Sequence, residues 1–404
     1  MSAPIPLYLR FSGAFGLLLV AAMASSCSPW RSMGATPSGE RLSRMQESPQ
    51  YRSAESVFVN ELPHGGSDIA GSAYAALTND APTVPTSALP RDDSLADRLQ
   101  LPAGQELSVS WVGHSTVLIE LDGRRFLTDP IFSERASPFD WVGPERFGPP
   151  ALAVAELPPL DGVLISHDHY DHLDMESIVA LNRPGMRFFV PLGVGAHLEL
   201  WGVAASQIEE MDWWDEREFL GVRIACVPSR HFSGRGLLNR NGTLWAGWVL
   251  QGSNESVYFS GDTSMGPHFL EIGERYGPFD IAMLEVAAYN QRWVDSHLGP
   301  EQAAQAFRLA QGRLMVPIHW GTFSLALHGW TEPVERLQRA AAADSIHLVI
   351  PRVGETVRSD SPRTVAPWWP PVAWQGPLEV PIVSTNLPVM IAPPPLQPRS
   401  VAGR

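Results

Sequence analysis

Gly162-Val163-Leu164-Ile165-Ser166-His167-Asp168-His169-Tyr170-Asp171-His172 joins an apolar run to three imidazoles and two carboxylates without a break. The apolar half reads as a buried strand, and the polar half falls where that strand should end. Packing does not explain so many ionisable groups in six residues. Strand ends and the loops beyond them are where α/β folds display reactive groups, and His at alternate positions suits zinc through its neutral ring nitrogen. The cluster reads as a metal site with ligands enough for two ions.

Working outward, three further positions share its context, a polar residue just past an apolar strand. His231 follows Ile224-Ala225-Cys226-Val227-Pro228, Asp262 follows Val257-Tyr258-Phe259-Ser260-Gly261, and His319 follows Leu314-Met315-Val316-Pro317-Ile318. Each would project from the sheet edge that carries the His167 cluster. Together the set holds five His and two Asp.

His-x-His-x-Asp-His followed by a His, an Asp and a last His at strand ends resembles the metallo-β-lactamase superfamily, an αβ/βα sandwich with a dinuclear site at one edge. That resemblance implies a first ion held by His167, His169 and His231, a second by Asp171, His172 and His319, and Asp262 bridging them. Two Zn2+ ions are the implied cofactors, although His/Asp sets also accept iron or manganese. The expected nucleophile is hydroxide, because zinc lowers the pKa of water from about 15.7 to about 7. Asp171 and Asp262 would then position metal and nucleophile rather than act as free bases.

The likeness narrows over roughly residues 48–357. Trp111-Val112-Gly113-His114-Ser115-Thr116, Leu127-Thr128-Asp129-Pro130, His231-Phe232-Ser233-Gly234-Arg235, Ser260-Gly261-Asp262-Thr263 and His319-Trp320-Gly321-Thr322-Phe323 resemble the N-acyl-phosphatidylethanolamine-hydrolysing phospholipase D branch. A phosphodiesterase acting on such lipids is therefore the implied activity. Lactone or acyl-ester hydrolysis on the same fold is the rival, and a non-catalytic metal-binding envelope protein is a third reading. Asn290-Gln291 stands where that branch has Glu-Pro, and Phe232 where Trp is common; these changes bear on the substrate rather than the fold. A structural zinc fills its coordination with protein ligands, whereas this set leaves positions for water, which argues for an enzyme.

Other residues have competing readings. His297, before Gly299-Pro300-Glu301, is either a substrate or leaving-group contact, hence a catalytic candidate with Asp171 and Asp262, or an ordinary His. His114 either orients a ligand or touches substrate. Asp129 and Asp174 are candidates to orient a ligand His, Asp129 equally a turn former. Asp168 and Tyr170, between ligands, should orient neighbours or face outward. Trp213, Trp214, Trp245, Trp248, Trp293 and Trp330 would line acyl chains or, as large apolar residues more often do, fill the core.

The 404 residues, 44% hydrophobic, suffice for a substantial core, and a net charge of -14 opposes a nucleic-acid partner. Arg10, the apolar stretch from Phe11 to Met23, and Ala24-Ser25-Ser26-Cys27 read as a signal peptide too short for a comfortable membrane span. Small residues before Cys27 resemble a lipoprotein processing box, with Ala24 where Leu is preferred; ordinary cleavage and an uncleaved anchor are the alternatives. The expectation is an exported protein of the bacterial cell envelope, anchored by lipid and facing the periplasm. Cys27 and Cys226 are its only cysteines. With Cys226 in an apolar strand, no disulfide is expected.

The chain divides into four segments: 1–27 for export, 28–100 as a Ser/Gly/Ala/Pro-rich tether with one packed piece from Ser48 to Pro63, 101–357 as the catalytic domain, and 358–404 as a Pro-rich tail laid over the surface or serving recognition. Within 101–357, strands are expected at Leu107–Val112, Ser115–Leu121, Arg125–Thr128, Gly162–Ser166, Arg187–Val190, Val222–Val227, Thr243–Leu250, Ser256–Ser260, Asp280–Leu284 and Leu314–Ile318. Helices are expected at Met175–Leu181, Val194–Leu200, Pro300–Leu309 and Glu332–Ala343. Interspersed strands and helices give an α/β class.

Overall fold

Apolar runs bounded by turn residues build two sheets that face one another across a shared core. The computed structural model describes residues 29–66, 68–236, 238–360 and 366–398. The expected export segment, with Cys27, lies outside the described residues. β1 (Tyr51–Arg52) and β2 (Val57–Phe58) form a small antiparallel ladder. The main strands are β3 (Ser108–Gly113), β4 (Thr116–Leu121), β5 (Arg124–Thr128), β6 (Gly162–Leu164), β7 (Arg187–Pro191), β8 (Ile208–Met211), β9 (Glu216–Phe219), β10 (Val222–Val227), β11 (Gly247–Gln251), β12 (Ser256–Phe259), β13 (Ile281–Glu285), β14 (Met315–Ile318) and β15 (Thr356–Arg358).

One sheet runs β15-β3-β4-β5-β6-β7-β8 and the other β14-β13-β12-β11-β10-β9. Each is antiparallel at one end and parallel at the other. Parallel neighbours need long crossovers, and helices supply them. Met175–Leu181 lies between β6 and β7, Gly195–Leu200 between β7 and β8, His268–Tyr276 between β12 and β13, and Pro300–Leu309 between β13 and β14. The result is a mixed α/β sandwich. No described helix is long and apolar enough to cross a membrane.

The hairpin joining β4 to β5 turns through Asp122 (φ 50°) and Gly123 (φ 72°), the two left-handed positions a two-residue turn requires. Central strands are buried on both faces, so β4, β6 and β11 to β14 read as near-continuous apolar runs, while β3 buries Ser108 and Ser110 as well. Trp248 shows how this core fixes the His cluster. It is fully buried on β11, and its Nε1 donates to the Ile165 carbonyl at 2.9 Å, two residues before His167. Removing such a side chain costs about 3–5 kcal/mol.

Residues 29–100 carry the helices Gly39–Glu47, Ile69–Thr78 and Leu95–Arg98, and they bury Met45, Tyr51, Phe58, Leu95 and Leu99 in the common core. Asn60, in the piece expected to pack, donates from Nδ2 to the His231 carbonyl at 2.8 Å and accepts from the His231 N–H at 3.1 Å. In the Pro-rich tail Trp369 is buried and Trp368 lies 5.3 Å from Trp320, while Leu378, Val389 and Ile391 are exposed. Cys226 is free and buried.

Candidate metal centre

The ends of β6, β10, β12 and β14 meet at one edge of the sandwich, and each delivers a polar side chain there. His167, His169, Asp171 and His172 follow β6, His231 follows β10, Asp262 follows β12, and His319 follows β14. Special backbone geometry holds the edge. His114, Asp129 and His319 adopt φ of 56°, 33° and 64°, a conformation costing a non-glycine residue about 1–3 kcal/mol. Gly261, before Asp262, has φ 57°, and a Cβ there would lie 2.5 Å from the Ser166 Cβ.

All seven residues expected from the sequence converge, in two groups. In the first, His169 Nδ1 lies 2.8 Å from His167 Nε2 and 3.3 Å from His231 Nε2, and Asp262 Oδ2 lies 3.8 and 3.7 Å from the same two Nε2 atoms. In the second, Asp171 Oδ2 is 3.3 Å from His172 Nε2 and 3.2 Å from His319 Nε2, and Asp262 Oδ2 is 3.1 and 3.2 Å from those nitrogens. Asp262 is common to both. Ligand atoms on a tetrahedral ion at about 2.0–2.1 Å stand about 3.3–3.4 Å apart, so both groups have the spacing a divalent cation requires. Asp262 Oδ1 is buried with no hydrogen-bond partner among the described residues, a polar atom for which a cation would provide.

The charges point the same way. Burial pushes the imidazoles of His167 and His231 well below their usual range and lowers that of His169, which keeps ring lone pairs available. Burial also opposes charge on His172 and His319, but the Asp262 and Asp171 carboxylates outweigh it. They hold His172 well above the ordinary range and His319 up to about 10. Without a metal, protons on these two rings balance the carboxylates.

Outer contacts orient the rings. Asp129 accepts from the Ser166 N–H (2.6 Å) and hydroxyl (2.6 Å) and from His172 Nδ1 (2.7 Å). His231 Nδ1 donates to the Ser296 carbonyl at 2.7 Å. Each bond fixes which nitrogen faces the centre. Asp129 is therefore an orienting residue, whereas Asp174 caps helix Met175–Leu181 and bonds Ser133 and Ser177 instead of a ligand. Asp168 is buried and bonded to Gly234 N–H, Thr243 and His197, and Tyr170 donates to the Arg235 carbonyl, so both brace the loop. His114 Nε2 lies 3.0 Å from Asp171 Oδ2, at the rim of the second group. Phe232 packs its ring 4.6 Å from that of His169. Trp213, Trp245, Trp248 and Trp330 are buried core, and Trp214 and Trp293 are half-buried.

Glu285 is the residue the sequence reading passes over. It ends β13, is fully buried, and lies 2.7 Å from His297 Nδ1, with the Thr263 and Leu298 N–H groups donating to its other oxygen. Burial, and Asp262 nearby, push its carboxyl well above the usual range. His297 Nδ1 is 3.9 Å from Asp262 Oδ2, which puts His297 beside the centre. The signal was present in Ile281-Ala282-Met283-Leu284-Glu285, another polar residue closing an apolar strand.

A sandwich whose strand ends gather buried imidazoles and carboxylates at cation spacing defines a metal-dependent hydrolase. Comparison with known proteins supports the same class. Residues 124–320 match the β-lactamase superfamily domain model. An uncharacterized protein of Mycobacterium tuberculosis is 49% identical over 269 residues, 65% of this chain and 72% of that protein. N-acyl-phosphatidylethanolamine-hydrolyzing phospholipase D 1 of Caenorhabditis elegans is 37% identical over 265 residues, 62% of this chain and 74% of that one. Among solved structures, an isothiocyanate hydrolase from Delia radicum gut bacteria shares the fold, with a TM-score of 0.51 at 19% identity over 62% of this chain and 98% of that one. The chain belongs to the metallo-β-lactamase superfamily.

Proposed function

We propose that this chain is a dinuclear zinc phosphodiesterase of the phospholipase D type, acting on N-acyl-phosphatidylethanolamine-like lipids. The observation that carries the reading is the pair of ligand groups sharing Asp262 Oδ2, in a chain 37% identical to a relative named for that activity. His167, His169 and His231 would hold one Zn2+, Asp171, His172 and His319 the other, and Asp262 both. The ions would supply Lewis acidity at the phosphoryl oxygens and a lowered pKa for water.

The chain's own groups do the rest. Asp129 and the Ser296 carbonyl keep His172 and His231 in the tautomer whose Nε2 faces the centre. A protonated Glu285 carboxyl would donate to His297 Nδ1, which leaves the imidazole proton on Nε2, where it would be available to a leaving oxygen. Asp171 and Asp262, held well below the usual carboxylate range by His172, stay ionised as ligands. The same reading places the protein in the cell envelope through segment 1–27 and a lipidated Cys27.

The test incubates metal-loaded protein, and its His169→Ala variant, with N-acyl-phosphatidylethanolamine, a generic phosphodiester and an acyl lactone. Phosphatidic acid released by the parent and lost in the variant is the expected result. Turnover of the lactone alone would replace the proposal with acyl hydrolysis, and bound zinc without any turnover would replace it with a binding role.

A further inference from the structure

Beside the centre lies a cavity of about 260 Å³, lined by Leu89, Val112, Phe147 and Val353, with Ala88 at its rim and Arg146 in its wall. That is far more than the roughly 10–15 Å³ a single structural water needs. Its lining is apolar apart from two guanidinium groups and Thr322, whose hydroxyl is engaged by the His114 N–H and the Trp320 carbonyl. Arg91 is already spent on Asp93 and the Ala151 carbonyl. Arg146 is not.

Arg146 Nη1 donates to the carbonyls of Ile131 (3.1 Å) and Ser133 (3.4 Å), and its Nε has no hydrogen-bond partner among the described residues. A Cβ on Gly113 would lie 3.5 Å from Arg146 Nη2, so that nitrogen sits at the cavity wall that Gly113 also forms. Among the described residues the carboxylate that acts on it is Asp174, which is engaged by Ser133 and Ser177. Burial pulls the Arg146 pKa down to about 10, as for a cation held from water without a counter-ion. A half-buried guanidinium left open on an apolar cavity calls for an anion attached to an apolar body.

We infer that this cavity is a second binding site, for an anionic amphiphile: an alkyl chain along Leu89, Val112, Phe147 and Val353, and its carboxylate or phosphate on Arg146. The site touches the metal centre through its wall. Thr322, which lines the cavity, accepts from the His114 N–H at 2.7 Å, and Phe323 packs between the His114 ring (5.3 Å) and the Arg146 guanidinium (5.2 Å). An occupant would therefore bear on the imidazole that contacts Asp171.

Calorimetric titration of the metal-loaded full chain with octanoate, octyl phosphate, octanol and inorganic phosphate tests it. Octanoate or octyl phosphate should bind at least about tenfold tighter than octanol or inorganic phosphate, the difference between the two identifying the headgroup. Arg146→Gln should remove that preference, and Ala88→Trp, at the exposed rim, should weaken every alkyl ligand even if Arg146→Gln fails to fold. His169→Ala, which disables the catalytic site, should bind them as the parent does, which separates this site from the proposed activity. Equal binding of octanol, equal binding of inorganic phosphate, loss of binding in His169→Ala, or indifference to Ala88→Trp would each overturn the inference.

Discussion

Asp129→Asn removes one charge and no volume, and the geometry specifies its consequence. Asp129 Oδ1 accepts from the Ser166 N–H, and Oδ2 accepts from the Ser166 hydroxyl and from His172 Nδ1. An amide has one acceptor end. Placed toward Ser166 N–H, it turns its NH2 against His172 Nδ1–H; flipped, it turns NH2 against the backbone N–H. In the first orientation His172 can relieve the clash only by moving its proton to Nε2, the nitrogen that faces Asp171 and Asp262. A ligand is then lost. Hydrogen bonds to a charged group contribute about 1.5–3 kcal/mol, and losing the orienting partner of a ligand His typically costs 10–100-fold in metal affinity, about 1.4–2.8 kcal/mol. Zinc titration against a competing chelator should show the larger loss for the ion that His172 holds, because Asp129 bonds His172 directly and reaches the first group only through the Ser166 hydroxyl, 2.8 Å from His167 Nδ1. Equal weakening of both ions, or of neither, would refute the reasoning.

Four further outcomes are expected. In the metal-free protein His172 and His319 hold protons at neutral pH, so zinc binding at pH 7.5 should release about two protons, and affinity should rise as pH climbs toward 10. Titration in two buffers of different ionisation enthalpy reads that number, and a value near zero would contradict it. The His319 shift is a raised one, so its stabilisation of the metal-free fold is present below about pH 6.5 and is lost as pH rises through about 10, which thermal unfolding of chelated protein would show. Glu285→Gln should lower kcat by about 10²-fold or more with two ions still bound, since its nearest imidazole is His297 at 2.7 Å, with the ligand His319 4.0 Å away; loss of metal instead would make Glu285 a ligand. Asp295, fully buried, pairs with Arg230 at 2.9 Å and accepts from the N–H groups of Gly65 and Thr385, tying the His231 and His297 loops to both ends of the chain. Breaking that pair with Asp295→Ala should cost about 3–5 kcal/mol in denaturant unfolding.

What was legible in the sequence was the interior. Val222–Val227, Met175–Leu181, Pro300–Leu309 and Glu332–Ala343 form as their periodicity predicts, and the remaining expected strands lie within a few residues of β3 to β7 and β11 to β14. Three of the four edge strands were not legible. β8 is Ile208-Glu209-Glu210-Met211 and β9 is Glu216-Arg217-Glu218-Phe219, charged stretches for which no strand was expected; their charges mark strands at the sheet rims, where charge guards an unpaired edge. β15 pairs with β3 from more than 240 residues away, a partnership no local pattern announces. At the site, ligand-type residues announced themselves by standing alone after apolar runs. Glu285 did so too, but its role depends on His297 approaching from a different loop. Arg146 carries no such signal, because an exposed-looking Glu145-Arg146 does not tell which cation will lack a partner. Residues 29–100 read as a tether from composition, yet Phe58 and Leu95 are buried by contacts far along the chain.

The most direct measurement of the central claim is turnover of N-acyl-phosphatidylethanolamine as zinc is added stepwise to chelated protein, with bound metal counted at each step. Two ions per chain, and phosphatidic acid release that reaches its maximum only with the second, is the predicted result. Full activity at one ion per chain, or no release at any loading, would contradict it.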